Sequence, residues 1–186
     1  MLAYPLTANA ELRALEPWNA AEFAQFIERN REHLGAWLPW ALRLTDEEST
    51  RAWLQRYAED QAADGGRIYG IWMGSELVGG TLFRVFEPRF GSAEIGVWLS
   101  EEAQGQGLIT LAARRMIEWC LRERGMNRIE WRCVPTNKRS IAVATRLGMS
   151  RDGVLREAFP MHGVHHDVEI YSLLASEWRA GQTDVV

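Results

Sequence analysis

Positive charge is in short supply in this sequence of 186 residues. Its 21 Lys and Arg stand against 25 Asp and Glu, a formal net charge of -4. A chain so balanced has no general attraction for phosphate backbones or anionic lipid, which disfavours a nucleic-acid partner and a membrane-surface role. Cysteine is scarcer still, with only Cys120 and Cys133 and no CxxC pair, so neither a disulfide framework nor a Cys-based zinc site is expected. No apolar run approaches the 18 residues of a membrane-spanning helix. The opening segment lacks a basic start and is interrupted by Pro5, Glu11 and Arg13, so it does not read as a secretory signal, and a cytoplasmic protein is expected. No Pro-, Gly- or Ser-rich linker and no repeat divides the chain, so residues 1–186 are read as a single domain. With 47% hydrophobic and 25% charged residues the composition is that of a globular core-forming protein, which excludes disorder and collagen-like structure.

What is present is an alternation of strand and helix patterns. Residues 11–15 read as a short strand, and Asn19 is placed to cap a helix carrying Phe23, Phe26, Ile27 and Leu34 at helical spacing. A loop with Trp37, Pro39 and Trp40 follows. Thr45 and Glu48 match the capping box of a helix reaching Asp64, which Gly65 and Gly66 stop. Strands at 67–73, 76–86 and 92–99 form an antiparallel meander, the first two joined through Gly74 and Ser75. A helix at 108–124 ends at Gly125, and a buried strand at 128–134 follows it. A short helix at 137–147 closes at Gly148, and strands at 153–159 and 164–174 complete a mixed α/β order.

The most informative stretch is 93–113, AEIGVWLSEEAQGQGLITLAA, a strand, a glycine turn and a helix. Gly105 and Gly107 let a ligand approach the backbone, and the free amides of the helix starting near Leu108 form an anion site reinforced by the helix dipole. A pyrophosphate suits that chemistry. A Walker A loop needs Gly-Lys-Ser/Thr, and a dinucleotide fingerprint needs a third glycine where this chain has Thr110. Neither pattern is met, and two glycines alone can also make an ordinary tight turn.

Gln104-Gly105-Gln106-Gly107 resembles the Q/R-x-x-G-x-G/A pyrophosphate loop of the GNAT superfamily of N-acetyltransferases, with Ile109 where a small residue is common. Other segments are similar to its RimJ/RimL, ribosomal-protein type: Ala93-Glu94-Ile95-Gly96 before Trp98, Asn137-x-x-Ser140, Arg146-Leu147-Gly148-Met149, and Gly163-x-x-His166-Asp167. The resemblance covers nearly the whole chain in the expected order. It implies a six- or seven-stranded mixed sheet flanked by about four helices, splayed between the strands at 92–99 and 128–134, with acetyl-CoA in the gap. Amides of Gln104, Gly105, Gln106, Gly107 and Leu108 would hold the CoA pyrophosphate, backbone near Trp98 and Leu99 would meet the pantetheine and the oxyanion, and Asn137 would bond the pantetheine from the other side.

Acetyl transfer to an amine needs a neutral nucleophile, a stabilised oxyanion and a proton for the leaving thiolate. Ser140, in the first turn of its helix, is the candidate on the thiol side, against a reading as an ordinary helix-terminus serine. Glu94, in an otherwise apolar strand where an unpaired carboxylate is costly, is the candidate base, directly or through water, against a reading as a solvated or ion-paired strand residue. His166 and Asp167 are candidates for the acceptor site through the resemblance, against surface polarity of a hairpin. His162, His165, His166 and Asp167 do not share one strand face, so no metal site is expected. Trp37 and Trp40 could wall an acceptor pocket, pack a satellite core or contact a second copy in a homodimer. The leading expectation is acetylation of a protein N-terminal α-amine, such as that of a ribosomal protein. A small amine acceptor (an antibiotic, a polyamine or an aminoacyl compound) and a non-catalytic CoA-binding sensor stand as alternatives.

Overall fold

The computed structural model describes residues 3–183, in the order β1 (Ala3–Pro5), β2 (Ala10–Ala14), α1 (Ala20–Arg29), α2 (Arg31–Gly35), α3 (Pro39–Arg43), α4 (Glu47–Ala62), β3 (Ile68–Met73), β4 (Glu76–Glu87), β5 (Ser92–Leu99), α5 (Leu108–Glu118), β6 (Arg128–Cys133), α6 (Lys138–Arg146), β7 (Ser150–Met161), β8 (Val164–Leu174) and α7 (Ala175–Thr183). Hydrogen bonding links the strands in the order β1-β2-β3-β4-β5-β6-β8-β7. The mixed α/β class agrees with expectation. Eight strands rather than six or seven arise because Ala3–Pro5 pairs with Leu12 and its neighbours, and the short β1, α2, α3 and α7 carry too few periodic residues to announce themselves.

Two compact units divide these elements, and β4 and β5 each contribute residues to both. The first comprises residues 1–83 and 97–113. Its main apolar cluster joins Phe23, Phe26 and Ile27 of α1 to Leu54 of α4, Leu77 and Leu82 of β4, and Trp98. A smaller cluster joins Leu12, Ile71 and Val78 to Leu108 and Ala112 of α5. Ile109, the departure from the family loop, packs against that second cluster, so its bulk is absorbed by apolar contact.

Several local expectations are corrected here. Asn19 makes no side-chain cap to α1, because its Oδ1 accepts the Glu16 amide at 3.0 Å and closes the preceding turn. Leu34 lies in a separate helix, since the Asn30 side chain donates to the Phe26 carbonyl at 2.9 Å, a side chain competing with the helix ladder. The capping box of α4 is one residue later than Thr45 and Glu48: Asp46 accepts the Ser49 amide at 2.8 Å, and the Asp46 amide donates to the Ser49 hydroxyl. A carboxylate suits the helix dipole better than a hydroxyl. The stretch holding Pro39 and Trp40 is a short helix with proline at its first turn, tied down by Arg31, which donates to the carbonyls of Ala41 and Leu44.

The second unit comprises residues 84–96 and 114–186. Here β5 pairs in parallel with β6 through Ser92–Arg128, Ala93–Ile129 and Glu94–Glu130, and no pair follows Glu94–Glu130. Strand β6 pairs antiparallel with β8 along its whole length. It alternates: Ile129, Trp131 and Cys133 are buried, while Arg128, Glu130 and Arg132 form a charged face, so only one side of the expected buried strand is core. Between Leu155 and Phe159 strand β7 bulges away from β8, with Glu157 in the left-handed region. Among the described residues no helix is long and apolar enough to cross a membrane.

Candidate active site

In the first unit the chain leaves β5 at Leu99, passes through residues 100–107 and enters α5 at Leu108. Gly105 and Gly107 have φ of 78° and 75°, and nothing lies within 4 Å of where a Cβ would project from either. Glycine is required by the backbone angle, and the space beside it is open for a ligand. The buried Leu108 anchors the helix start, so its first amides, which lack intrahelical acceptors, are held in place. Gln106 is exposed, and Gln104 Nε2 lies 3.1 Å from Nε2 of His33 on α2, a partner not foreseen from the sequence.

Trp98 is buried, its ring 5.7 Å from both Phe23 and Trp40, the latter edge-on. Trp40 also stacks on Trp53 at 5.3 Å. Trp40 therefore belongs to an aromatic core cluster, and the half-buried Trp37 enters none of these ring contacts. The close seat of Trp98 and Leu99 depends on Gly79 and Gly80 of β4. A Cβ at Gly80 would lie 2.1 Å from the Trp98 ring, and one at Gly79 would lie 2.6 Å from the Trp98 carbonyl oxygen. Consecutive glycines inside an apolar strand signal close backbone approach, which makes them legible in principle.

In the second unit Glu94 is buried among charges. Its carboxylate meets Arg84 Nε at 3.0 Å and Arg132 Nε at 3.4 Å, and Glu130 binds both Arg128 and Arg132 at 2.9 Å. Burial pushes the Glu94 carboxyl up, and Arg84 and Arg132 pull against it. Their side chains are 56% and 38% exposed, so water screens them, while the carboxylate at 4% bears the full cost of leaving water.

Asn137 caps α6, its Oδ1 accepting the Ser140 amide at 3.1 Å. The Ser140 hydroxyl accepts from Trp131 Nε1 at 2.9 Å. Burial pushes the Cys133 thiol up. Tyr171 donates to Glu169 at 2.8 Å and is pushed up to about 12 by burial and by that carboxylate, so it stays protonated. Trp131 and Cys133 gave no sequence signal, because their importance comes from strand register and not from a motif.

On the β7–β8 hairpin, His166 pairs with Phe159, and Asp167 accepts the Glu157 amide at 2.8 Å. That bond fixes the bulge and gives Asp167 a structural task. Among the described residues no three His, Cys, Asp or Glu cluster so as to hold a metal.

Residues 11–150 match the family model described as the acetyltransferase (GNAT) domain. The chain is 31% identical over 183 residues to a putative ribosomal N-acetyltransferase, YdaF, of Bacillus subtilis, covering 96% of this chain and 98% of the relative. It is 29% identical to the ribosomal-protein-serine acetyltransferase of Escherichia coli, covering 90% of this chain and 93% of that one. A solved structure of RimL, a ribosomal L7/L12 α-N-protein acetyltransferase in complex with coenzyme A, superposes with a TM-score of 0.89 at 27% identity, covering 94% of this chain and 99% of that one.

Proposed function

The chain belongs to the acetyltransferase (GNAT) domain family, and from that premise we propose that residues 1–186 act as one domain transferring the acetyl group of acetyl-CoA to the N-terminal α-amine of a protein, a ribosomal protein being the acceptor class. The observation that carries the cofactor half is the glycine turn, whose two positive-φ glycines leave open space beside the first amides of α5. Amides of residues 105–108 take the pyrophosphate, the Gln104 amide being spent on the Glu101 carbonyl at 3.2 Å, and the helix dipole favours the ligand's charge. By the family resemblance, backbone at Trp98 and Leu99 is assigned to the pantetheine and the developing oxyanion and Asn137 to the pantetheine, while Trp40 keeps its place in the aromatic core and Asp167 its bond to the Glu157 amide. The ribosomal acceptor is supported by the names of relatives matched over nine-tenths of their length. It implies a cytoplasmic reaction.

Acetyl-CoA supplies a carbonyl open to direct attack by the amine. The protein has to receive a proton from that amine and deliver one to the departing sulfur. At pH 7.4 an α-amine with pKa about 8 is neutral in roughly a fifth of molecules, and a lysine amine near 10.4 in about one in a thousand. Deprotonation therefore costs the lysine roughly 4 kcal/mol and the α-amine less than about 1. Glu94, already held by two guanidiniums, takes the proton through a water, and Ser140 donates to the thiolate.

Mass spectrometry of peptides with free α-amines beside α-blocked lysine peptides, incubated with acetyl-CoA and the purified protein, tests the acceptor class. Free α-amines should be acetylated first. Preferential acetylation of the blocked lysine peptides overturns it.

A further inference from the structure

A serine hydroxyl has one proton to give and lone pairs to receive with, and its partners decide which role is left open. The indole N–H of Trp131 can only donate, and it lies 2.9 Å from Ser140 Oγ. Trp131 is 2% exposed, so no bulk water competes for that hydrogen. The Ser140 oxygen is therefore an acceptor on its Trp131 side, and its own hydrogen must point elsewhere. The Ser140 amide, meanwhile, is fixed by Asn137 at 3.1 Å. Backbone and oxygen are each held by a separate partner, and only the O–H direction is left to answer a ligand. An oxygen that accepts one hydrogen bond donates a stronger one, because each bond in the chain polarises the next.

We propose that Trp131 is a positioning residue that turns Ser140 into a hydrogen donor aimed at a sulfur and denies it the role of nucleophile. This rests on the reading of Ser140 as the group that serves the leaving thiolate. As the C–S bond breaks, its electron pair goes to sulfur, which takes the Ser140 proton. The Ser140 oxygen is reprotonated from water, which in turn recovers the proton that Glu94 took from the attacking amine as its C–N bond formed. Throughout, the Trp131 N–H stabilises the negative charge that builds on the Ser140 oxygen. No acetyl-serine is formed, because Trp131 holds one Ser140 lone pair and the hydroxyl proton is spent on the departing sulfur.

The test is a double-mutant cycle between Trp131→Phe and Ser140→Ala, read as kcat and as KM for acetyl-CoA. Trp131→Phe keeps a buried ring and removes the N–H. It should lower kcat by about tenfold with KM changed less than about twofold, and should change kcat less than about twofold when Ser140 is already alanine. An equal loss in both backgrounds makes Trp131 a packing residue and overturns the proposal. Replacing Trp131 by benzothienylalanine, which exchanges N–H for sulfur at nearly constant volume, repeats the comparison if the Phe variant loses its folded circular dichroism. Wild-type kcat in Ser140→Ala removes the reading on which the proposal rests, whereas a loss there beside an unchanged Trp131→Phe overturns the proposal alone. Acetylated Ser140 in the intact mass after exposure to acetyl-CoA alone also overturns it.

Discussion

The glycine turn of the first unit and the side-chain networks of the second, the two regions to which we assign function, are built by opposite means. Around Gly105 and Gly107 the proposed anion site needs no ionised side chain: it rests on left-handed backbone, open space and the start of α5. Around Glu94 and around Ser140 the backbone is ordinary, and the proposed chemistry depends on two separate side-chain networks, one held by charge with Arg84 and Arg132 and the other by hydrogen bonds with Trp131 and Asn137. A site made of backbone tolerates most neighbours and fails when a Cβ is added. A site made of side chains fails when one partner is deleted.

The contrast is sharpest at Gly80, which carries no chemistry yet sets where Trp98 sits. Gly80→Ala places a Cβ 2.1 Å from the Trp98 ring and 2.4 Å from the Tyr69 carbonyl oxygen, neither of which can yield cheaply. Overpacking of this severity should destabilise the fold by about 3 kcal/mol, visible as a lowered urea midpoint with unchanged slope. A near-neutral variant would mean that the first unit is less backbone-determined than its geometry indicates.

Deleting a side chain in the other region should cost activity instead. Ser140→Ala should lower kcat by roughly 10²-fold while acetyl-CoA affinity changes little. A matched loss of affinity would make Ser140 part of the cofactor grip and blur the division. Next in size comes Gly107→Val. A β-branched residue at φ 75° is strained, and its methyls fill the open space beside the α5 amides. Acetyl-CoA binding by calorimetry should weaken tenfold or more, about 1.4 kcal/mol. Unchanged affinity in a folded variant would end the assignment of this turn to the pyrophosphate.

The same division explains what could be read in advance. Gly105, Gly107 and Leu108 lie within four residues of one another, so the sequence spacing is the geometry. The strands of β3 to β6 were legible for a similar reason, their period and bounding turns being local. Trp131 and Ser140 are nine residues apart on different elements, and Arg84 reaches Glu94 only because β4 and β5 are neighbours. No spacing rule announces such pairs. Asp167 shows the converse: the motif located it, but its carboxylate holds the Glu157 amide in the β7 bulge, a task that only the register reveals. The capping of α4 by Asp46 in place of Thr45 is a one-residue slip, where two adjacent residues both suited the cap and only the backbone could choose.

The smallest effect, and the one whose sign matters most, concerns Glu94 itself. Its folded carboxyl is pushed above the ordinary 4.5 by burial, whereas Glu130, bonded to Arg128 and Arg132, and Asp152, bonded to Arg128, are held below 4.5 and 3.8. A carboxyl raised on folding binds protons more tightly in the folded state, so its contribution to stability falls as pH rises from about 4.5 through the folded value. Glu130 and Asp152 act the other way, contributing stability that is present above their unfolded values and is lost as pH falls below them. Glu94→Gln removes only the first contribution and leaves a neutral side chain of the same length beside Arg84 and Arg132. Its stability relative to the parent should therefore rise as pH is taken upward from 4.5, measured as the difference between urea midpoints at each pH. A difference that falls with pH would mean that the two arginines outweigh burial and that the carboxylate is a structural anion, held ionised at every working pH and too well paired to take a proton from water. A difference that rises leaves Glu94 with the raised affinity for a proton that a base working near neutrality requires.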